Sequence, residues 1–272
     1  MTEFLTVDGG TIAYDVTGDG PLVVLAPGIG NGRDAYRFVA PRLAEAGYRV
    51  ATADLRGAGE SSAVWPSYSR TDIAGDLLAV IRHLGWPAVL VGHSISGGAA
   101  TIAAAQAPEL ITAVIELAPF TRAQSFKLSD LRRKATIKLA GTMMGRLSSW
   151  KGYLELAYPG RKPADWTAQM AGIEAMLREP GRMKALQKMT QTSPADAGER
   201  LGDVRVPALI VEGTLDPDWT DPRAEGEAIV AAMPAGRARL EMIEGAGHYP
   251  HVQHPDETVA AMLTFLRAHA RA

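Results

Sequence analysis

Six short apolar runs, each followed by an amphipathic stretch, constrain this chain more than any other feature. They are LVVLA (Leu22–Ala26), YRVATAD (Tyr48–Asp54), AVLVG (Ala88–Gly92), ITAVIELA (Ile111–Ala118), ALIVEG (Ala208–Gly213) and ARLEMIEG (Ala238–Gly245). Short continuous runs rich in β-branched residues read as strands buried on both faces. The stretches Asp34–Ala46, Thr71–Leu84, Gly97–Gln106, Pro222–Met233 and Asp256–Ala270 read as helices with one apolar stripe. Strand alternating with helix implies right-handed crossovers and a mainly parallel sheet covered by helices. Ahead of this pattern, Phe4–Val7 and Thr11–Val16 alternate in polarity around Asp8-Gly9-Gly10, a hairpin signal. The expectation is an α/β fold with eight strands.

One segment breaks the alternation. From about Thr121 to Arg205 the reading is helical only, and it is too long for a loop. We read 121–205 as a helical cap inserted into a core formed by 1–120 and 206–272. The cap carries 16 Lys and Arg against 8 Asp and Glu, although the whole chain has a net charge of −2. That local excess is a candidate attractor for anionic substrates, set against the plainer reading of solvated helix faces. Six of the ten methionines lie there (Met143, Met144, Met170, Met176, Met183, Met189), as do Trp150 and Trp166. Together they suggest either an adaptable apolar pocket or packing among the cap helices.

Several classes are disfavoured at once. The near-neutral charge gives no electrostatic footprint for nucleic acid or an anionic membrane. Cysteine is absent, which removes disulfides, thiolate metal sites and thiol nucleophiles. The N-terminus lacks a basic segment followed by an apolar run, so no signal peptide is expected, and no apolar run approaches the roughly 18 residues that span a bilayer. A cytoplasmic protein is expected.

Chemistry concentrates in VGHSISGG, Val91–Gly98. A nucleophile elbow is a strained strand-to-helix turn that exposes a hydroxyl and needs small residues two positions to either side. Ser94 and Ser96 both satisfy the size rule. The apolar run ends at Gly92, so Ser94 falls at the apex and Ser96 in the first helical turn, where a serine is more often a cap.

VLVGHSISGG resembles the elbow of the α/β-hydrolase superfamily, and the likeness extends along the chain. LAPGIGN (Leu25–Asn31) resembles its oxyanion loop, DLRGAGESS (Asp54–Ser62) its D-x-R-G-x-G-x-S segment, VEGTLDPDW (Val211–Trp219) its acid loop, and IEGAGHYPH (Ile243–His251) its final G-x-G-H loop. The resemblance implies an α/β-hydrolase fold with a mainly parallel eight-stranded sheet and no cofactor. It also implies a triad in the order serine, acid, histidine. Ser94 is then the nucleophile, His248 the base and Asp216 the orienting acid. Asp218 and Asp221 compete for the acid role, and Glu116 lies inside an earlier strand. By family position the oxyanion donors are the backbone N–H groups of Ile29 and Ile95. Many relatives have histidine where this chain has Pro27, which removes one brace of that loop, while Asn31 offers an additional polar contact.

Of the other histidines, His83 falls on a helix, His93 in the elbow and His269 near the end. His248, His251 and His254 are spaced by three, a spacing open to a metal site, but Pro250 and Pro255 interrupt the helix that would align them and disfavour it. Surface or supporting packing is the expectation for His251 and His254. The first functional expectation is hydrolysis of a carboxylic ester through an acyl-enzyme. Hydrolysis of a carbon–carbon bond in a diketone-like substrate uses the same residues, and cofactor-free peroxidase-type activity is a third possibility. GHSIS also resembles the elbow of slow-turnover small-molecule receptors and signalling proteins in this superfamily.

Overall fold

Every apolar run becomes a strand in the computed structural model, which describes residues 1–85, 87–122 and 145–270. The hairpin is β1 (Glu3–Val7) and β2 (Gly10–Thr17). It is followed by β3 (Leu22–Ala26), β4 (Arg49–Ala53), β5 (Ala88–His93), β6 (Ile111–Leu117), β7 (Ala208–Gly213) and β8 (Ala238–Ile243). One eight-stranded sheet results, in the order β1-β2-β4-β3-β5-β6-β7-β8. β2 pairs antiparallel with β1 and β4, and all the other pairs are parallel.

The two-residue period of the strands explains why they are apolar throughout. Val24 and Leu90 face one layer with Leu77, Ile81 and Ile102 from the helices Arg70–Leu84 and Ile95–Gln106. Val23, Leu25, Val89 and Val91 face the other, with Leu43, Met262, Phe265 and Leu266 from Ala40–Glu45 and Pro255–His269. Each such side chain contributes about 1.5–3 kcal/mol by leaving water. Register then fixes the site. Ala26 pairs with Gly92, His93 with Leu117, Leu117 with Val211 and Gly213 with Ile243, so the loops after these strands emerge along one edge of the sheet.

Two expectations need correction. Asp34–Ala46 is not one helix. It divides into a 3₁₀ turn, Arg33–Tyr36, and a short helix, Ala40–Glu45, with Pro41 in its first turn. Proline lacks the N–H that an interior helical position donates and is tolerated only near a helix start, so the helix begins again around it. β8 is half-exposed rather than buried on both faces, because it is the edge strand and alternates Arg239 and Glu241 with apolar neighbours.

Between β6 and β7 lie the helices Leu147–Ala157, Trp166–Arg178 and Arg182–Thr190 and a short turn of helix, Ala195–Gly198. Residues 123–144, including Met143 and Met144, lie outside the described residues. Much of the described basic charge here is paired at the surface: Lys151 and Arg178 with Glu174, Lys162 with Glu155, and Arg200 with Asp203. Among the described residues no helix is long and apolar enough to cross a membrane.

Candidate active site

Ser94 has the strained backbone that an elbow requires. Its φ of 55° and ψ of −117° place it among only two described non-glycine residues with positive φ, the other being Ala118. Such a conformation costs on the order of 1–3 kcal/mol and persists only where neighbours enforce it. Here the Ser94 amide donates to Leu117 O at 2.9 Å, and Ser94 O accepts from the amides of Gly97 and Phe120, each at 3.0 Å. At Gly92 an added Cβ would lie 2.0 Å from Ser96 O, so the turn excludes any larger residue there.

Ser96 is in the helix and fully buried, and its hydroxyl donates to Pro27 O at 2.6 Å. That bond ties the elbow to the Pro27–Asn31 loop. Asn31 Nδ2 donates to Ile29 O and to the Tyr249 hydroxyl, both at 3.1 Å. Asn31 therefore braces its own loop instead of presenting a polar contact to a substrate. Two side chains thus restrain the loop that lacks a histidine at position 27. Among the described residues, neither Ile29 N nor Ile95 N donates to a backbone acceptor, and both residues line the same cavity as Ser94. An amide at the first position of a helix has no intrahelical partner, which leaves Ile95 N free for an anion.

His248 follows β8, and its Nδ1 is 2.7 Å from Asp216 Oδ2. Asp218 Oδ2 is the second neighbour of that nitrogen, at 3.3 Å. Asp216 also accepts the Asp218 amide at 2.9 Å, so the turn-forming role open to an Asp-Pro residue and the contact with the imidazole coexist in one carboxylate. Asp218 is held from the other side by the Tyr153 hydroxyl at 2.8 Å. Asp221 is removed from the contest, because it caps the helix Pro222–Ala232 by accepting Ala224 N. Burial opposes the charged imidazolium of His248, but Asp216 and Asp218 more than offset it and raise the group to about 9. Burial raises Asp218, opposed by His248.

The other histidines support this one. His93 Nε2 bonds His248 O at 2.8 Å, so this nitrogen carries the proton, and its ring lies 4.9 Å from the His248 ring. The elbow histidine therefore packs directly against His248. His251 is fully buried, stacked on Tyr36 at 5.1 Å and tilted against His93 at 4.7 Å, which overturns a surface location. Burial first, then Arg37, lower it to about 3, and burial holds His93 well below its ordinary value, so both rings are neutral. The histidines spaced by three form no ligand cluster among the described residues. The group with metal-like spacing is Asp216, Asp218 and His248, whose ligand atoms lie within 4.8 Å of one another. In it Asp216 Oδ2 faces His248 Nδ1 and Asp218 Oδ2 accepts a hydrogen bond from the Tyr153 hydroxyl.

Ser94 and His248 open on a cavity of about 270 Å³, walled by Ile29, Ile95, Phe120, Trp150, Tyr153 and Met189 among others. No hydrogen bond joins Ser94 Oγ to His248, a looseness common where such bonds tighten only around a substrate. Trp150 and Met189 line this cavity and also pack in the core, whereas Trp166 packs on Tyr158 and Met176 Sδ receives the Gly59 amide. A larger cavity of about 610 Å³ near Arg33 and Asp54 holds neither Ser94 nor His248. Sequence reasoning missed Tyr153 and Arg70, both of which line the smaller cavity. For Arg70 a signal existed: a cation directly after the cap Ser69, at the helix end where positive charge is disfavoured.

A family model described as the alpha/beta hydrolase fold matches residues 21–255. The chain is 27% identical to a 2-(acetamidomethylene)succinate hydrolase of Mesorhizobium japonicum, over 96% of this chain and 94% of that one. It is 28% identical to a 2-hydroxy-6-oxononadienedioate/2-hydroxy-6-oxononatrienedioate hydrolase of Klebsiella pneumoniae, over 97% and 95% respectively. A bromoperoxidase from Bacillus anthracis superposes with a TM-score of 0.83 at 24% identity, covering 98% of this chain and all of that one.

Proposed function

Because the chain belongs to the α/β-hydrolase fold family, we propose that it is a serine hydrolase acting through Ser94, His248 and Asp216, and that its reaction is hydrolysis of a carboxylic ester of small to medium size. The observation that carries this reading is the strained Ser94 at a strand–helix turn, opening on one cavity with a histidine whose far nitrogen is 2.7 Å from a buried carboxylate.

In this mechanism Ser94 Oγ attacks the ester carbonyl while His248 Nε2 takes its proton. Asp216 fixes the tautomer with the proton on Nδ1 and stabilises the imidazolium. The tetrahedral oxyanion accepts from Ile29 N and Ile95 N. Collapse breaks the carbonyl–alkoxy bond, and His248 protonates the departing alcohol. Water then attacks the acyl-enzyme, giving its proton to His248. Release of the acid returns that proton to Ser94. The helices between β6 and β7 serve as a cap whose Trp150, Tyr153 and Met189 shape the acyl site.

The Klebsiella relative, named for hydrolysis of a hydroxy-oxo diacid, favours a second reading. Carbon–carbon hydrolysis of a diketone-like substrate would use the same residues. A panel of esters, lactones, thioesters and vinylogous diketones, run on wild type and Ser94→Ala, separates the two. The ester reading expects ester turnover lost in Ser94→Ala, and turnover confined to diketones would replace it with the second.

A further inference from the structure

Three arginines are buried among the described residues, and one is unlike the others. Arg56 Nε is 2.7 Å from Asp76, and Arg182 Nε is 3.2 Å from Glu179. Arg70 is 3% exposed and forms no ion pair among the described residues. Its Nε donates to Phe120 O at 2.9 Å, and its Nη1 donates to Thr192 Oγ1 and Ser193 O, each at 3.1 Å. Nη2, with two N–H groups, has no protein acceptor among the described residues, and the residue lines the Ser94 cavity.

The position is costly in three ways. A buried cation with no carboxylate in ion-pair contact loses its hydration, and the attraction of Asp196 offsets only part of that loss. It also stands at the first position of Arg70–Leu84, where the helix dipole repels positive charge. Finally, it requires a glycine in the neighbouring helix, because a Cβ at Gly98 would lie 2.7 Å from Arg70 Cδ and 2.9 Å from its Nε. The second glycine of SISGG thus makes room for this side chain. Burial lowers the guanidinium to about 10, so it remains charged at neutral pH.

We propose that Arg70 is the recognition group for a carboxylate on the substrate, making the substrates half-esters or oxo acids in which a short chain separates the reacting carbonyl from an anionic end. This rests on the reading of Ser94 as the nucleophile. Phe120 links the two residues: its amide donates to Ser94 O and its carbonyl accepts from Arg70. Gly98, against which the Arg70 side chain packs, lies one helical turn beyond Ser94, about 6 Å along the helix axis. The same cavity carries Asp218 beside His248, which repels an anion that Arg70 attracts. Between them the walls are apolar, supplied by Ile29, Ile95, Phe120 and Met189. Among the described residues no lysine or arginine of the cap segment lines this cavity, and Arg70 of the core helix is the cation that does.

The test compares monomethyl glutarate, an anion, with dimethyl glutarate, its neutral counterpart, on wild type, Arg70→Met, Arg70→Lys and Ser94→Ala. Wild type is expected to favour the monoester. In Arg70→Met the ratio of kcat/KM between the two falls about 10- to 100-fold, mainly through KM for the monoester, as loss of a charge-assisted hydrogen bond predicts. The ratio does not depend on how much of the variant is folded, and Arg70→Lys, which keeps the charge but loses the planar fork, falls between. An unchanged ratio overturns the carboxylate proposal. Turnover of both esters surviving in Ser94→Ala overturns the nucleophile reading instead. Thermal stabilisation of the wild type by three- to six-carbon dicarboxylates against their diamides decides the matter even where a variant does not fold or neither ester turns over. At least one dicarboxylate is expected to bind more tightly than its diamide, and none doing so contradicts the proposal.

Discussion

At one end of the Ser94 cavity His248 lies against two carboxylates, and at the other Arg70 has none. The two ends are built from different parts of the chain and satisfied to different degrees. At the acidic end Asp216 holds His248 and the Asp218 amide, Tyr153 holds Asp218, and His93 pins the His248 carbonyl. At the basic end the guanidinium has three protein acceptors and one nitrogen left over. The hydrogen bonds at the acidic end fix the geometry of His248, whereas a guanidinium nitrogen without a protein acceptor can donate to a ligand. On the proposed function, chemistry belongs to the first end and selection to the second.

The largest expected effect lies at the junction of the two. Ser94→Ala is predicted to reduce kcat by about 10⁶-fold if the three residues act as a unit, and steady-state kinetics on the preferred ester measures it. At the acidic end Asp216→Asn is expected to cost about 10⁴-fold, because an amide stabilises the wrong tautomer. Asp218→Asn should cost far less and act on pH dependence. The base works only when deprotonated, and two carboxylates raise its pKa above the ordinary 6.5. Activity should therefore rise with pH on the alkaline side of neutrality, and Asp218→Asn should move that limb to lower pH by about one unit. A pH–rate profile with no displacement would show that Asp216 alone sets the base. Ser96→Ala, which removes the bond to Pro27 O, is expected to lower kcat by roughly 3- to 10-fold through a looser oxyanion loop.

A last effect concerns stability beneath the acidic end. Glu116 and Glu212 are fully buried in β6 and β7. Burial raises Glu116 to about 8, opposed by its bond from Thr101, and raises Glu212 as well, with Asp216 adding to the effect. For Glu116 the folded state binds a proton that the unfolded chain releases near 4.5, so this group's contribution is complete below pH 4.5 and declines up to about pH 8. Glu116→Gln should flatten the fall in Tm across that window, and an unchanged slope would exclude Glu116 as its source.

The acidic end was legible in the sequence because its residues follow strands whose apolar runs mark where each loop begins. Ser94 could be placed by counting from the end of β5, whereas Asp216 and His248 were placed by the resemblance of their loops, after β7 and β8, to the acid and G-x-G-H loops of the α/β-hydrolase superfamily. The contest between Asp216 and Asp218 could not be decided that way, since two residues in one loop differ by only 0.6 Å in their approach to His248 Nδ1. The purpose of the Ser96 hydroxyl was hidden for a similar reason, as its acceptor is a backbone carbonyl 69 positions away. Arg70 was missed because an arginine at a helix start looks like surface. Only the packing of Gly98 and Phe120 around it shows that it is buried.

The central claim is that Ser94, and not Ser96, is an activated nucleophile. A fluorophosphonate ester labels such a serine covalently, and fragmentation of the labelled peptide distinguishes positions 94 and 96. The account predicts one adduct per chain, on Ser94, formed faster as pH rises through the His248 titration, retained in Ser96→Ala and absent in Ser94→Ala. An adduct on Ser96, or none in the wild type while ester turnover proceeds, would contradict it.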